Sequence, residues 1–192
     1  MNKEEKLEQQ TKDLYRAIGR FSVEFEHLCW NIKNSIVFLM QDNKNPQSQQ
    51  YLRVLLADQT AYPLITKLKS ISSIRLKDYQ EELLLLDPLF KFCIKINETR
   101  NDIIHGTWFI GWASEEQTEF DIAIGIKEKN IKSGIDIHTR EYKAEHFDLL
   151  SSKLKMGSEY ISKIFTGLSF LNFLPSKSIK KENLDLLNYE LK

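Results

Sequence analysis

Long runs of apolar residues at helical spacing constrain the fold of this 192-residue chain more than any other feature. In the first run, apolar side chains recur every three or four residues, which places them on one face of a helix. The members of this stripe are Leu14, Ile18, Phe21, Phe25, Leu28, Ile32, Ile36 and Leu39. The run predicts a helix from near Glu4 to Gln41, ended by the breaker-rich residues 42–46. A stripe of this length has to be buried against other elements.

Helical spacing recurs over residues 52–71 and again from Phe147 to Leu171. Pro63 is expected to kink or divide the earlier stretch, because proline lacks the backbone N–H that a helix interior needs. In the later stretch, Gly157 occupies a position of the apolar stripe.

Residue types that favour the two ends of a helix indicate a further helix. Asp87 fits an N-cap, Pro88 fits a first helical turn, and Gly106 fits the position just past a helix end. These signals predict a helix over residues 88–105, preceded by a separate helical piece over residues 78–86.

The pattern then changes from helical spacing to alternation. Apolar and small or polar residues alternate in the segment Phe120–Ile126, and isoleucines continue to residue 137. This pattern predicts a β-hairpin at about 118–140, with residues 127–130 as its turn and a short extended piece over 107–112. The expected fold is therefore mainly α: an antiparallel helical bundle with a β-hairpin inserted before the last long helix.

The expected organisation is a single helical domain over residues 1–174, followed by a Lys-rich tail over 175–192 that ends in a short amphipathic segment. Lys and Arg number 27, as do Asp and Glu, so the charge balance argues against a large basic surface that coats nucleic acid, while a small phosphate-binding site stays open. A polar first segment and the lack of a long apolar run favour a cytoplasmic protein without a membrane partner. Cys29 and Cys93 have apolar neighbours and are expected to be buried free thiols.

One position interrupts the apolar seam of the predicted 88–105 helix. Arg100 completes the series Leu89, Cys93, Ile96 and Ile103, and a guanidinium there is costly unless it is paired or lines a cavity or interface. His105 follows in the last turn, where an imidazole can serve acid–base chemistry. An arginine can hold a phosphate through two N–H groups and stabilise its developing charge.

Helix geometry separates these two residues. At about 100° per residue, the Arg100 and His105 side chains lie ~140° apart around the helix axis. A shared site needs a bent Arg side chain, a distorted helix end or a second subunit.

The segment Arg100-Asn101-Asp102-Ile103-Ile104-His105 resembles the Arg-x4–6-His motif of the HEPN superfamily, including the polar residue after the Arg. Arg20 with His27 and Arg140 with His146 have matching spacings. Neither pair has a polar residue like the family's Asn after its Arg, and neither ends a helix at a glycine.

This resemblance implies a helical bundle that acts as a homodimer and cleaves RNA without a metal or cofactor, leaving a 2′,3′-cyclic phosphate. It implies Arg100 and His105 as catalytic residues and Asn101 as the supporting polar position. Many members serve in bacterial toxin–antitoxin, abortive-infection or other anti-phage systems, so an antitoxin or another defence protein is the implied partner.

Other residues are candidates for secondary roles. Those expected to support the catalytic groups are Glu98, Asp102, Glu24 and His27. Those expected to bind RNA are Lys91, Lys95, Trp108 and Trp112, by phosphate contact or base stacking. The competing interpretations are solvent-facing charges and, for the two tryptophans, core or dimer packing.

Three alternatives stay open at this point. Arg100 could be a buried arginine paired with Glu24 or Glu26, with His105 as a C-terminal capping residue. The chain could be a non-catalytic HEPN-like dimerisation, scaffold or sensor module in a defence complex. It could also be an antitoxin-like or nucleotide-binding partner that uses the hairpin.

Overall fold

The computed structural model describes residues 2–42, 44–45, 47–111, 120–131 and 134–189. Over these residues the chain is mainly helical and contains a three-stranded antiparallel sheet in the order β1-β2-β3. In chain order the elements are α1 (Lys3–Met40), α2 (Ser48–Leu56), α3 (Ala61–Arg75), α4 (Gln80–Ile104), β1 (Thr107–Phe109), β2 (Ile122–Ile131), β3 (Gly134–Lys143), α5 (Ala144–Phe170), α6 (Pro175–Ser178) and α7 (Lys181–Asp185). The predicted helical class, with a hairpin before the last long helix, is confirmed.

The chain forms two compact units. The sheet unit consists of Met1–Phe25 with Glu98–Ser152, and the helical unit consists of Glu26–Asn97 with Lys153–Lys192. The long helices α1, α4 and α5 each contribute residues to both units. The expectation of a single domain over 1–174 stays a prediction.

Helix α1 begins as a capping box. The Asn2 side chain accepts the Glu5 backbone N–H at 2.8 Å, and the Glu5 carboxylate accepts the Asn2 N–H at 2.9 Å. This reciprocal pair satisfies N–H groups that have no partner inside the helix. Pro63 lies in the first turn of α3, where its missing N–H costs little, so it divides α2 from α3 rather than kinking one helix.

The predicted break before Pro88 is wrong. Residues 78–86 and 88–105 were expected to form separate pieces, but α4 runs from Gln80 to Ile104 with Pro88 inside it. Pro88 cannot donate to the carbonyl of Leu84, a residue that is 73% exposed, so the lost hydrogen bond falls on the exposed side of α4. Buried residues on both sides of the proline, Leu86 and Leu89, fix the helix by packing. Tertiary burial thus overrides a local helix-breaking signal.

The sheet is longer than the sequence predicts. Residues 127–130 were expected to form the hairpin turn, but they lie inside β2, which pairs with β3 from Ile122↔Lys143 to Ile131↔Gly134. The polar side chains there do not end the strand, because the opposite strand satisfies their backbone groups. Strand β1 adds to the other edge of β2 and confirms residues 107–109 of the extended piece expected over 107–112.

In the helical unit, α4 and α5 approach each other closely at Gly157. A Cβ on Gly157 would lie 2.4 Å from Cε1 of Phe92. The tail also packs here, since the Ser176 backbone N–H donates to the buried Glu82 carboxylate at 2.8 Å and the Tyr189 ring packs edge-on to Phe92. The amphipathic character of the tail therefore serves docking within this unit.

Among the described residues, none of the helices has the length and apolar character needed to cross a lipid bilayer. Cys29 and Cys93 are both buried, and neither forms a disulfide with a described residue, as expected. Burial raises the pKa of the Cys93 thiol to about 12, and the nearby Cys29 adds to the effect.

Two helix glycines provide a matched stability test. We expect Gly157→Ala to lower the free energy of unfolding by about 1–2 kcal/mol, because the methyl group clashes with the Phe92 ring. We expect Gly19→Ala to raise it by about 0.5–1 kcal/mol, because nothing lies within 4 Å of the added methyl and alanine favours the helix. Urea denaturation measures both. Equal effects of the two substitutions would contradict the close approach of α4 and α5.

The thiols provide a second test. We expect the native protein to react slowly with a thiol reagent such as DTNB at pH 8, because Cys93 is buried and its raised pKa leaves almost no thiolate. In denaturant both thiols should react at once. Rapid reaction of either thiol in the native protein would show that the helical unit opens there.

Candidate functional site

The C-terminal end of α4 carries the motif that sequence analysis singled out. Helix α4 ends at Ile104, and the His105 backbone N–H still donates to the Asn101 carbonyl at 3.2 Å. Gly106 follows, and a Cβ there would lie only 3.0 Å from the Asp102 carbonyl oxygen. The predicted helix end at this glycine is confirmed to within a residue.

Arg100 is half-buried in the sheet unit. Its guanidinium lies over the Phe25 ring, 5.4 Å from the ring centre, and donates to the Asn101 side-chain oxygen at 3.4 Å. It forms no salt bridge with any carboxylate of the described residues. The alternative in which Glu24 or Glu26 neutralises Arg100 is therefore not what the structure contains. A guanidinium held by an aromatic face and one amide keeps most of its N–H donors for a ligand.

His105 lies at the surface, directly after the last turn of α4. Its side chain makes no hydrogen bond with a described residue, and neither does that of Glu98, which is also exposed. Glu98, which was expected to support the catalytic groups, therefore forms no hydrogen bond with His105. Glu24, the neighbour of Phe25 on α1, is half-buried in the same unit.

Asp102 pairs with two cations of the sheet. One of its carboxylate oxygens accepts the Lys127 ammonium at 2.8 Å, and the other accepts the Arg140 guanidinium at 2.7 Å. Arg140 also donates to the Tyr142 hydroxyl at 3.5 Å. This hydrogen bond, together with the interaction with Asp102, raises the pKa of Arg140 above its usual value despite partial burial. We call Asp102, Lys127 and Arg140 the Asp102 cluster; it ties β2 and β3 to the end of α4.

Trp108 fixes the same junction by packing. Its indole N–H donates to the Ile103 carbonyl at 2.5 Å, and its ring stacks on Tyr142 with centres 5.7 Å apart. Phe147 packs edge-on against it at 5.8 Å. A Cβ on Gly125, the cross-strand partner of Trp108, would lie 2.8–2.9 Å from three atoms of the indole. Trp108 is therefore half-buried and held by packing in the sheet unit. Base stacking by this residue stays a prediction.

A cavity of about 240 Å³ lies beside this junction. Its charged and polar lining comes from the Asp102 cluster together with His138 and Tyr142, and Gly106, Trp108, Gly125 and Ile126 complete it. His138 is exposed, and its ring pairs with Asp136 at 2.9 Å. Gly106 belongs to this lining and directly follows His105 in the chain, so the cavity opens beside the motif.

Three of the other predicted residues belong to the helical unit. Lys91 and Lys95 belong to the helical unit, where Lys91 pairs with Asp87 at 2.7 Å. The Lys95 ammonium donates to the Tyr189 carbonyl and lies 4.4 Å from the centre of the Tyr189 ring, so it holds the tail. His27 is exposed on α1 and is also part of the helical unit. Trp112 lies outside the described residues.

Sequence reasoning missed Lys127, Arg140 and Tyr142. The isoleucines dominated the alternating pattern and lie on one face of the sheet. The charged and polar side chains that line the cavity lie between them in sequence and share the opposite face. Ala123 and Gly125 of β2 are buried, and the lack of a side chain at Gly125 admits the Trp108 ring. The signal available was the alternation of His138, Arg140 and Tyr142, but the register that places Arg140 opposite Gly125 could not be read from one strand.

The packing at Gly125 can be tested by one substitution. We expect Gly125→Ala to lower the free energy of unfolding by about 1–3 kcal/mol, because the added methyl displaces the Trp108 ring from between β2 and Phe147. Ile137→Thr, at a 59% exposed position of the neighbouring strand, should change it by less than ~0.5 kcal/mol. Thermal unfolding followed by near-UV circular dichroism measures both. A neutral Gly125→Ala would show that Trp108 does not pack against β2.

Comparison with protein-family models, with curated proteins and with solved structures finds no match to this chain. The functional inference consequently depends on the residues at the end of α4 and on the cavity beside them.

Proposed function

We propose that this protein is a HEPN-like endoribonuclease that cleaves RNA without a metal ion. The observation that carries the proposal is the state of Arg100: a half-buried guanidinium with no carboxylate partner among the described residues, five residues before an exposed histidine. A cation held in place but not neutralised is suited to bind an anion such as a phosphodiester.

The chemistry needs a group that moves protons and a group that stabilises charge. The 2′-hydroxyl oxygen attacks the adjacent phosphorus while its proton passes to a base, and the bond from phosphorus to the 5′-oxygen breaks as that oxygen gains a proton. The products are a 2′,3′-cyclic phosphate and a 5′-hydroxyl. His105 acts as the base or the acid in these transfers. Arg100 binds the scissile phosphate and stabilises the negative charge that builds up on its oxygens.

The proposal includes a second copy of the chain. Arg100 and His105 lie ~140° apart around α4, so one helix does not direct both side chains to one narrow face. A homodimer that brings two α4 ends together would supply Arg100 and His105 from both copies to one cleft, as the family resemblance implies. In this setting the protein would act in the cytoplasm as a toxin or anti-phage effector, restrained or activated by a partner protein.

A second candidate function is a non-catalytic HEPN-like scaffold or sensor. The observation that favours it is the Asp102 cluster, because a residue inside the motif serves to attach the sheet to α4. In this case Arg100 and His105 would be remnants, and the motif would have been retained for structure.

Substitution at the motif distinguishes the two functions. We expect His105→Ala to lower the rate of RNA cleavage by about 10²–10⁴-fold, through loss of proton transfer. We expect Arg100→Ala to lower it by about 10²–10³-fold, through loss of charge stabilisation. The assay uses purified protein, mixed RNA and a chelator, and mass spectrometry identifies the cyclic phosphate end.

Arg20→Gln is the matched control, since Arg20 has a matching spacing to a histidine but pairs with Asp148 at the surface. Its cleavage rate should stay within about twofold of the wild-type rate. Circular dichroism should show that all variants are folded. A folded wild-type dimer that cleaves no RNA, alone or with its partner, would favour the scaffold instead.

A further inference from the structure

We propose that the cavity beside the Asp102 cluster binds a backbone phosphate of the RNA strand next to the scissile one. The identity of this ligand rests on the proposed ribonuclease function; the cationic character of the site does not. The proposal assigns Lys127 and Arg140 as phosphate-binding residues that act separately from Arg100 and His105.

Lys127 and Arg140 have more N–H donors than their partners in the protein use. A lysine ammonium has three N–H donors and an arginine guanidinium has five. Lys127 gives one hydrogen bond to Asp102, while Arg140 bonds to Asp102 and to the Tyr142 hydroxyl. The remaining donors have no partner among the described residues, and both side chains line the cavity. This unused capacity is what an anion with several acceptor oxygens can satisfy.

The Asp102 cluster also has a net positive charge. Asp102 carries one negative charge against the two positive charges of Lys127 and Arg140, so the cluster retains a net charge of about +1. A phosphodiester carries a single negative charge and would neutralise it. The Lys127 and Arg140 side chains are 31% and 50% exposed, so a ligand can reach them without unfolding the sheet. Asp102 keeps the two cations in place before the ligand arrives, which lowers the entropic cost of binding.

The size of the cavity and its position next to the motif also fit a backbone phosphate. A cavity of about 240 Å³ is smaller than the sites that hold drug-sized ligands, and it suits a phosphate with part of its sugar. Trp108 and Tyr142 give the cavity an apolar wall for the sugar. Gly106 connects the cavity to His105, so a strand whose scissile phosphate lies at the motif would pass over the cluster.

The test measures binding without cleavage. The His105→Ala protein is titrated into a fluorescent single-stranded RNA, and the Kd is determined at several salt concentrations. Adding Arg140→Gln should raise the Kd about tenfold and reduce the dependence of log Kd on log salt by about 0.7, the loss of one phosphate contact.

Arg16→Gln is the matched control, because Arg16 is a 57% exposed arginine of the same unit that pairs with Asp148 away from the cavity. Its effect on the Kd should stay within about twofold. A set of RNAs, each with one neutral methylphosphonate linkage, then locates the contact. When the neutral linkage replaces the phosphate that Arg140 contacts, Arg140→Gln should no longer raise the Kd. Equal effects of Arg16→Gln and Arg140→Gln, or a penalty that persists at every linkage, would overturn the site.

The outcome separates this inference from the proposed function. If the wild-type protein cleaves no RNA but the Arg140-dependent binding persists, the phosphate site stands and the ribonuclease proposal fails. If Arg140→Gln in an otherwise wild-type protein cleaves with an unchanged KM while His105→Ala is inactive, the ribonuclease stands and the phosphate site is wrong.

Discussion

The attachment of the sheet to the end of α4 depends on one carboxylate, that of Asp102. An acidic residue in the last turn of a helix is unfavourable by itself, because the helix dipole is negative at that end. Here Lys127 and Arg140 reach the carboxylate from two neighbouring strands and offset this cost. Since each cation bonds a different oxygen, the carboxylate fixes both strands at once. These three side chains also line the cavity beside the motif.

Packing reinforces this electrostatic attachment. Trp108 fills the space above Gly125 and bonds the Ile103 carbonyl near the end of α4, so one side chain links the helix, β2 and α5. The indole can approach β2 only because position 125 has no side chain. A glycine that would weaken an isolated strand is therefore the residue that allows this junction to form.

The two cationic groups of the sheet unit differ in how they are neutralised. Arg100 is held by an aromatic ring and an amide, and its charge stays unpaired among the described residues. Lys127 and Arg140 share one carboxylate and retain part of their charge. All three cations belong to the sheet unit of a chain with equal numbers of acidic and basic residues. For a protein that acts on RNA, a few such cations would supply local phosphate contacts rather than a basic surface.

The sequence by itself determined the elements whose signals are local. Apolar spacing predicted α1 and α5, Gly106 predicted the end of α4, and alternation predicted a hairpin, because these patterns reflect backbone geometry and burial within one element. Only the tertiary structure decided that α4 continues through Pro88, since packing on both sides of the proline outweighs the lost hydrogen bond. It likewise decided that Asp102 meets Lys127 and Arg140, which lie 25 and 38 positions further along the chain. Such pairings depend on strand register and on how a sheet docks against a helix, and neither is encoded in the spacing of any single segment.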